Sequence, residues 1–272
     1  HECYLADYER WDDIININRE KHGPTYLISY TNLALAQQGK LLDQMFLFEQ
    51  QLPVQQTDIK KVSNAILRMT SQIYHHCGYV AGTRKSAFNS NLITPGGIEP
   101  HDMLHLLMAD KSIGSKDACE KYANLLSKTL FYSNSAKSAL NANAVNLSES
   151  NNFCEIHGLG YDLEQIANAN PQNEIAKQFN LAYLLLSADK QRILDYFGNK
   201  PANEPVHRRI QEACTVMFSA DECRSMGVDE EVINDFEKLK KGQKINGFDS
   251  SYWFYIAYLN INIKTDPKNS LK

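Results

Sequence analysis

The sequence predicts an all-helical protein, an α-α superhelix built from repeated helix pairs. Apolar residues recur at three- and four-residue spacing along most of the chain, as at Leu27, Tyr30 and Ala34, which is the spacing of one buried helix face. The period-two alternation of strands is nearly absent. Breaks between helices recur at Gly39, Gly78 and Gly114, which lie 39 and 36 residues apart. A repeat of about 35–40 residues that contains two helices is typical of an α-solenoid.

The first half of the chain divides into amphipathic segments separated by glycine or proline. The stretch 26–48 is dense in helix formers and is interrupted by Gly39, which can take a positive φ and reverse the chain, so we expect a hairpin of two short helices. Predicted helices in this half cover 3–20, 26–48 with its break, 58–77, a segment through 87 and 88, 100–111 and 115–132.

The second half begins with a polar stretch, 133–152, which is rich in Asn, Ser and Ala. Its composition predicts irregular structure, either a degenerate repeat or a long loop. Further helices are predicted over 161–168, 173–186, 190–197, 204–218 and 229–241, with a last one that begins in the aromatic run 252–255. We therefore expect one helical-repeat domain over 1–272.

Composition limits the classes of function. The 272 residues carry 28 Lys and Arg against 32 Asp and Glu, a net charge of −4, and no basic run favours a nucleic-acid partner. No apolar run reaches the roughly 20 residues that span a bilayer. The chain lacks an initiator Met and a signal peptide, so we expect a piece of a longer protein. The six cysteines are irregularly spaced and form no C-x-x-C, which favours free, buried thiols.

The repeat pattern resembles tetratricopeptide (TPR-like) repeats over about two-thirds of the chain. The glycine breaks match the turn between the two helices of that repeat. The packing position of the second helix is matched by Phe48, Ala87, Ala123 and Phe197, and the repeat end by Pro95 and Pro205. The chain departs from the pattern at Gln44, where a small residue is expected, and the small residue of the first helix is kept only as Ser71.

A second resemblance covers most of the chain. The segments NLALAQQGKLLDQMF, IYHHCGY followed by SAF, YANLLSKTLFY and YWFY resemble the C-terminal part of an uncharacterised family of bacterial membrane proteins. In that family a soluble helical-repeat region follows several transmembrane helices. The resemblance implies an extracytoplasmic or membrane-tethered domain that contacts the membrane only through segments outside this chain. It implies no activity.

Three candidate sites have a simpler structural explanation. His101 and His105 are four apart in HDMLH and can face one metal ion, but the sequence shows no zincin glutamate and no third ligand. We therefore expect no metal site and no cofactor. His75 and His76 end a helix, where histidine is favourable. The aromatic run 252–255 is expected to cap the core, the alternative being a sugar or peptide site.

Two classes of function remain open, and no catalytic residue can be assigned. The first is a non-catalytic scaffold that binds a protein or peptide in a concave groove. The second is the soluble portion of a membrane-associated enzyme, which a deep pocket with convergent carboxylates or histidines would favour. The TPR-like resemblance places six residues on the concave face: Arg68, Gln72, His75, His101, Lys111 and Gln178. Their charge predicts a groove for an acidic peptide or a carboxyl terminus, the alternative being a solvated surface without a ligand.

Overall fold

The protein is helical throughout the part of the chain that the structure describes. A computed structural model describes residues 1–19, 25–50, 63–97, 99–141, 159–201 and 204–257. Every regular element in those ranges is a helix, and no strand occurs there, which confirms the predicted all-helical class. The chain forms two compact units, where the sequence predicts one domain over 1–272. Unit 1 is His1–Gly39 with Val54–Asn180, and unit 2 is Lys40–Pro53 with Leu181–Lys272.

The first predicted helix of unit 1 is two helices in the structure. They are α1 (Glu2–Asp7) and α2 (Trp11–Arg19). Between them, Glu9 has a φ of 54°, Glu9 N donates to Ala6 O, and Arg10 N donates to Leu5 O at 2.8 Å. These bonds satisfy the last carbonyls of α1 in the manner of a Schellman motif. The prediction of one continuous helix over 3–20 is therefore wrong. The break was not visible in the sequence because the residue with positive φ is a glutamate, whereas glycine is the usual signal.

The predicted break at Gly39 is confirmed, but the hairpin around it is not. α3 (Thr25–Gln37) precedes the glycine, whose φ is 70°. The chain after the glycine forms only α4 (Leu41–Gln44) and a 3₁₀ turn over Met45–Leu47. α3 belongs to unit 1, whereas α4 and the turn belong to unit 2.

The centre of unit 1 is a run of helices that pack in chain order. They are α5 (Asn64–His76), α6 (Val80–Ile93), α7 (Pro100–Ser112), α8 (Lys116–Leu126) and α9 (Ser133–Asn141). Each helix contacts the next, and α5 and α7 precede the predicted breaks at Gly78 and Gly114, which have φ of 69° and 77°. Alternate helices also touch, in the order α3, α5, α7 and α9, and α1 contacts α3, α5 and α7.

Two predictions in the middle of the chain need correction. The stretch 133–152 was expected to be irregular, but its first part is α9, whose Ala136 and Ala139 are buried. The remainder, 142–152, lies outside the described residues. The helix predicted over 115–132 ends at Leu126, because Ser127 to Tyr132 form turns closed by the Thr129 hydroxyl. Unit 1 continues through α10 (Leu159–Ala169) into α11 (Glu174–Ser187), whose residues divide between the units.

Unit 2 contains the C-terminal helices. They are α12 (Lys190–Asn199), α13 (Arg208–Met217), α14 (Ala220–Ser225) and α15 (Glu230–Lys240), followed by a 3₁₀ turn over Phe248–Ser250 and a helix that includes 252–257. α14 was not predicted from the sequence. It begins with a capping box in which the Ser219 hydroxyl accepts from Glu222 N and the Glu222 carboxylate accepts from Ser219 N.

The core of unit 2 is built on the aromatic run. Tyr252, Trp253 and Tyr255 are buried, as expected of residues that cap a core. The Trp253 ring nitrogen donates to the Thr215 hydroxyl at 2.9 Å. The buried Glu212 carboxylate accepts from Tyr252 N at 2.8 Å and from Arg209 Nη1 at 2.6 Å. The polar ends of this aromatic core are therefore tied to α13.

Candidate functional site

A cluster of buried and half-buried polar side chains in unit 1 is the candidate site. We call it the histidine centre and define it by Cys3, Asp7, His75, His76, His101 and His105. Its members come from α1, α5 and α7. Buried titratable groups are expensive unless they are paired, which makes such a cluster a functional candidate on physical grounds.

Helix geometry explains how four of these residues converge. Residues four apart lie on the same face of a helix, one turn from each other. Cys3 and Asp7 have this spacing on α1, and His101 and His105 have it on α7. Because α1 and α7 are in contact, the two polar faces meet inside the unit.

Asp7 and His101 form a buried ion pair. His101 Nδ1 lies 2.7 Å from Asp7 Oδ2, and each side chain is 1% exposed. The Tyr132 hydroxyl donates to the same carboxylate oxygen at 3.0 Å. Burial alone would raise the pKa of Asp7 and lower that of His101. The charge and hydrogen bond of each partner reverse these effects, so the pKa of Asp7 is well below 3.8 and that of His101 is well above 6.5.

The other three histidines of the centre are neutral near pH 7. Burial, together with the charge of His101, lowers the pKa of His105 to about 4. Burial and neighbouring histidines lower the pKa of His75 and of His76 to about 3. The rings of His101 and His105 are 4.3 Å apart, and those of His75 and His105 are 5.2 Å apart. Of the four imidazole rings, only that of His101 is therefore protonated and positively charged near pH 7.

A small cavity adjoins the centre. It has a volume of about 50 Å³, and its polar lining comes from Asp7, Glu9, Gln72, His75, His76 and His105. Ligand pockets for organic molecules measure roughly 300–1,000 Å³, whereas a single water needs only about 10–15 Å³ of such volume. The cavity therefore has room for an ion and one or a few waters, and not for an organic substrate.

A second charged group lies beside the centre. Arg68 Nη2 is 2.9 Å from Glu99 Oε2, and Arg68 Nε is 3.7 Å from Asp102 Oδ2. Burial raises the pKa of Asp102 to about 6, although the charges of His101 and Arg68 oppose the shift. Arg68 is therefore already engaged by carboxylates of its own chain.

The six residues of the predicted groove are distributed over unit 1. Gln72 and His101 were predicted to face solvent in the groove, but each is only 1% exposed. α1 contacts both of the helices that carry them, α5 and α7. Lys111 donates to the carbonyl oxygens of Ala139 and Leu140 at the end of α9. Gln178 donates to Ala36 O at 3.2 Å. The structure brings His75 and His101 together in the histidine centre and keeps Lys111 and Gln178 apart from it.

Two members of the histidine centre, Cys3 and Asp7, were not predicted from the sequence. Cys3 and Asp7 are more than 90 residues from His101 in the chain, and only their four-residue spacing on one helix marked them. One ligand atom from each of Cys3, Asp7 and His101 lies within 4.8 Å of the other two. Cys3 and Asp7 therefore place two potential ligand atoms beside His101 that the HDMLH motif alone does not provide.

The cysteines that the structure describes are unpaired. Cys3, Cys77, Cys119, Cys214 and Cys223 are free thiols, and all but Cys3 are buried. Burial raises the pKa of Cys77, and burial together with Cys223 raises that of Cys214 to about 12. These shifts make the buried thiols poor nucleophiles. Cys154 lies outside the described residues.

Comparison with known proteins identifies a family without an assigned activity. A family model described as "Family of unknown function (DUF6057)" matches residues 2–259. No curated protein and no solved structure matches the chain. Within the described ranges, no helix combines the length and the apolar character that crossing a bilayer requires.

Proposed function

The chain belongs to this family of unknown function, and we propose that it is a non-catalytic helical-repeat scaffold whose α3–α5–α7 face holds an acidic protein segment. One observation carries the proposal. α1 contacts all three of these helices and places the Asp7 carboxylate against His101 and His105. We propose that this helix is the resident occupant of the groove and that a partner segment competes with it.

The order of helix packing supports a TPR-like arrangement for this scaffold. In a two-layer array of helix pairs, the first helices of successive pairs touch each other. Contacts of α3 with α5, α5 with α7 and α7 with α9 follow that order, while α6 and α8 pack between successive members. We propose that the touching row is the ligand-facing layer, as in TPR-like repeats.

The size of the cavity supports binding rather than turnover. About 50 Å³ beside the histidine centre leaves no room for an organic substrate. The convergence of four histidines and one carboxylate nevertheless favours a second candidate, the soluble portion of an enzyme with a site between repeats. A hydrolysis screen of wild type and His105→Ala separates the two, because the scaffold proposal expects no turnover from either.

The binding proposal is tested with paired baits. The wild-type chain and Asp7→Asn are used to capture proteins, and a recovered acidic segment is then measured as a synthetic peptide. Asp7→Asn weakens the binding of α1 to the α3–α5–α7 face, so this variant should bind the peptide more tightly than the wild-type chain does. Arg68→Glu should weaken binding at least about 10-fold and make it less sensitive to salt. The control is Lys85→Glu, the same charge reversal on the exposed face of α6.

Two results would overturn this proposal. One is equal loss of affinity in Arg68→Glu and Lys85→Glu, which would mean that general charge rather than the α5 face attracts the peptide. The other is equal binding to wild type and Asp7→Asn when circular dichroism shows both chains folded, because α1 would then not compete for the face.

The location of the scaffold is a separate proposal. The resemblance to the C-terminal region of bacterial membrane proteins supports an extracytoplasmic or membrane-tethered domain that meets the membrane through segments outside this chain. Protease accessibility of the full-length protein in intact cells and in spheroplasts tests this. Digestion only after cell lysis would contradict it.

A further inference from the structure

We propose that Cys3, Asp7 and His101 bind a divalent transition-metal ion, with Zn²⁺ as the best match, and that His105 borders an open fourth position. The donor atoms of the three residues are all within 4.8 Å of one another. Zinc lies about 2.0–2.3 Å from its ligands, so tetrahedral donor atoms are roughly 3–4 Å apart. A small inward movement of the three side chains is enough to form the site.

The shape of the cluster favours a shared ion over a nucleophilic relay. In a Cys–His–Asp relay the imidazole ring stands between the sulfur and the carboxylate, which puts these two about 6 Å apart or more. Here the Cys3 sulfur and an Asp7 oxygen are within 4.8 Å of each other as well as of His101. The three donors surround one point instead of forming a line.

An unpaired carboxylate oxygen provides a second, independent observation. Asp7 Oδ1 is buried and has no hydrogen-bond partner. His105 Nε2 lies 3.5 Å from it, which is longer than a normal hydrogen bond. The other ring nitrogen, His105 Nδ1, is held by Ser71 Oγ at 2.7 Å.

Two buried polar atoms of the ion pair, Asp7 Oδ1 and His101 Nε2, have no hydrogen-bond partner. Buried polar atoms without partners are uncommon and call for an explanation such as an ion or an ordered water. An ion bound by Asp7 provides the partner that this buried carboxylate oxygen lacks.

The donor set selects the class of metal. Thiolate and imidazole ligands suit Zn²⁺ and the neighbouring transition metals, whereas Ca²⁺ and Mg²⁺ prefer oxygen ligands only. The Tyr132 hydroxyl donates to the ligand Asp7, as the outer partner of a metal ligand usually does, and Ser71 contacts His105 at the border of the open position. Asp7 and His105 also line the cavity, so a water can reach the fourth position. On binding, the ion displaces the proton of the Cys3 thiol and that of His101.

The experiment uses the full chain without a histidine tag, stripped of metal by a chelator. Titration with Zn²⁺ should give one ion per chain at micromolar affinity or better, and Co²⁺ should give a thiolate-to-cobalt absorption band. Cys3→Ser should abolish that band and weaken Zn²⁺ binding more than about 100-fold, since even lost outer partners cost 10–100-fold. His105→Ala should weaken binding less than Cys3→Ser does.

Matched controls and a second readout keep this test decisive. Cys214→Ser removes a thiol from unit 2, and His207→Ala removes an imidazole from unit 2. Neither substitution should change the affinity or the cobalt band. Zn²⁺ should also slow alkylation of Cys3, followed by mass spectrometry, which needs no substitution. Absence of zinc binding in the folded wild-type chain, or an unchanged cobalt band in Cys3→Ser, would overturn the proposal.

Discussion

Replacing Asp7 by Asn measures how far unit 1 depends on its buried ion pair. Asp7 bonds His101 at 2.7 Å and Tyr132 at 3.0 Å, and the carboxylate and imidazole are each 1% exposed. Removing one partner of a buried pair costs about 3–5 kcal/mol, because the other charge is left uncompensated. With about 2–4 °C per kcal/mol for a unit of this size, the melting temperature should fall on the order of 10 °C.

The loss should follow a defined pH dependence. The pKa of Asp7 is lowered, so its contribution is present above about pH 3.8 and is lost as the pH falls through the lowered folded value. The pKa of His101 is raised, so its contribution is fully present below about pH 6.5 and is lost as the pH rises through the raised folded value. Asp7→Asn should therefore cost most between pH 3.8 and 6.5.

Urea unfolding of metal-free protein, followed by circular dichroism, provides the measurement. The control is Asp13→Asn, which removes the same charge from an exposed pair with Arg10 at 2.6 Å and should cost less than about 1 kcal/mol. The neutral histidines of the centre lower stability below pH 6.5 in every variant, so the difference isolates the pair. A loss in Asp7→Asn no larger than in Asp13→Asn would show that the buried ion pair does not stabilise unit 1 as proposed.

Two further predictions concern packing. Gly82→Ala should lower the free energy of unfolding, measured in urea, by about 1–3 kcal/mol although alanine has the better helix propensity. The reason is that its Cβ would lie 2.5 Å from a Tyr79 ring atom and 2.6 Å from a Tyr74 ring atom. A stabilised variant would contradict this prediction. Glu212→Ala should cost about 3–5 kcal/mol, because Tyr252 N loses its acceptor and the half-buried Arg209 loses its carboxylate partner. A near-neutral effect would contradict this prediction.

The helical class and the main breaks could be predicted because their signals are local. Gly78 and Gly114 take the positive φ that ends α5 and α7, and glycine is the residue that does so at least cost. Glu9 takes the same conformation without a glycine, so the break after α1 left no sequence signal. The polar composition of 133–152 concealed α9, whose buried face consists of small alanines rather than large apolar residues.

The histidine centre could be predicted only in part. HDMLH marks His101 and His105 because helical spacing places them on one face. Nothing local connects them with Asp7, which reaches them through the packing of α1 on α7. Predicting groove residues from the repeat pattern had a related limit. Spacing along the sequence does not tell whether solvent or another helix of the same chain covers a residue. Gln72 and His101 are buried in unit 1, where α1 contacts both α5 and α7.

The proposed function depends on the claim that α1 occupies the α3–α5–α7 face, and cutting the chain after α1 measures how strongly it is held there. A protease site placed in the exposed turn at 8–10 releases α1 as a peptide, whose retention is measured by gel filtration and fluorescence anisotropy. We expect the peptide to stay bound and Asp7→Asn to weaken it at least about 100-fold, as a loss of 3 kcal/mol requires. Immediate release from a still-helical remainder, or equal retention of the Asp7→Asn peptide, would contradict the claim.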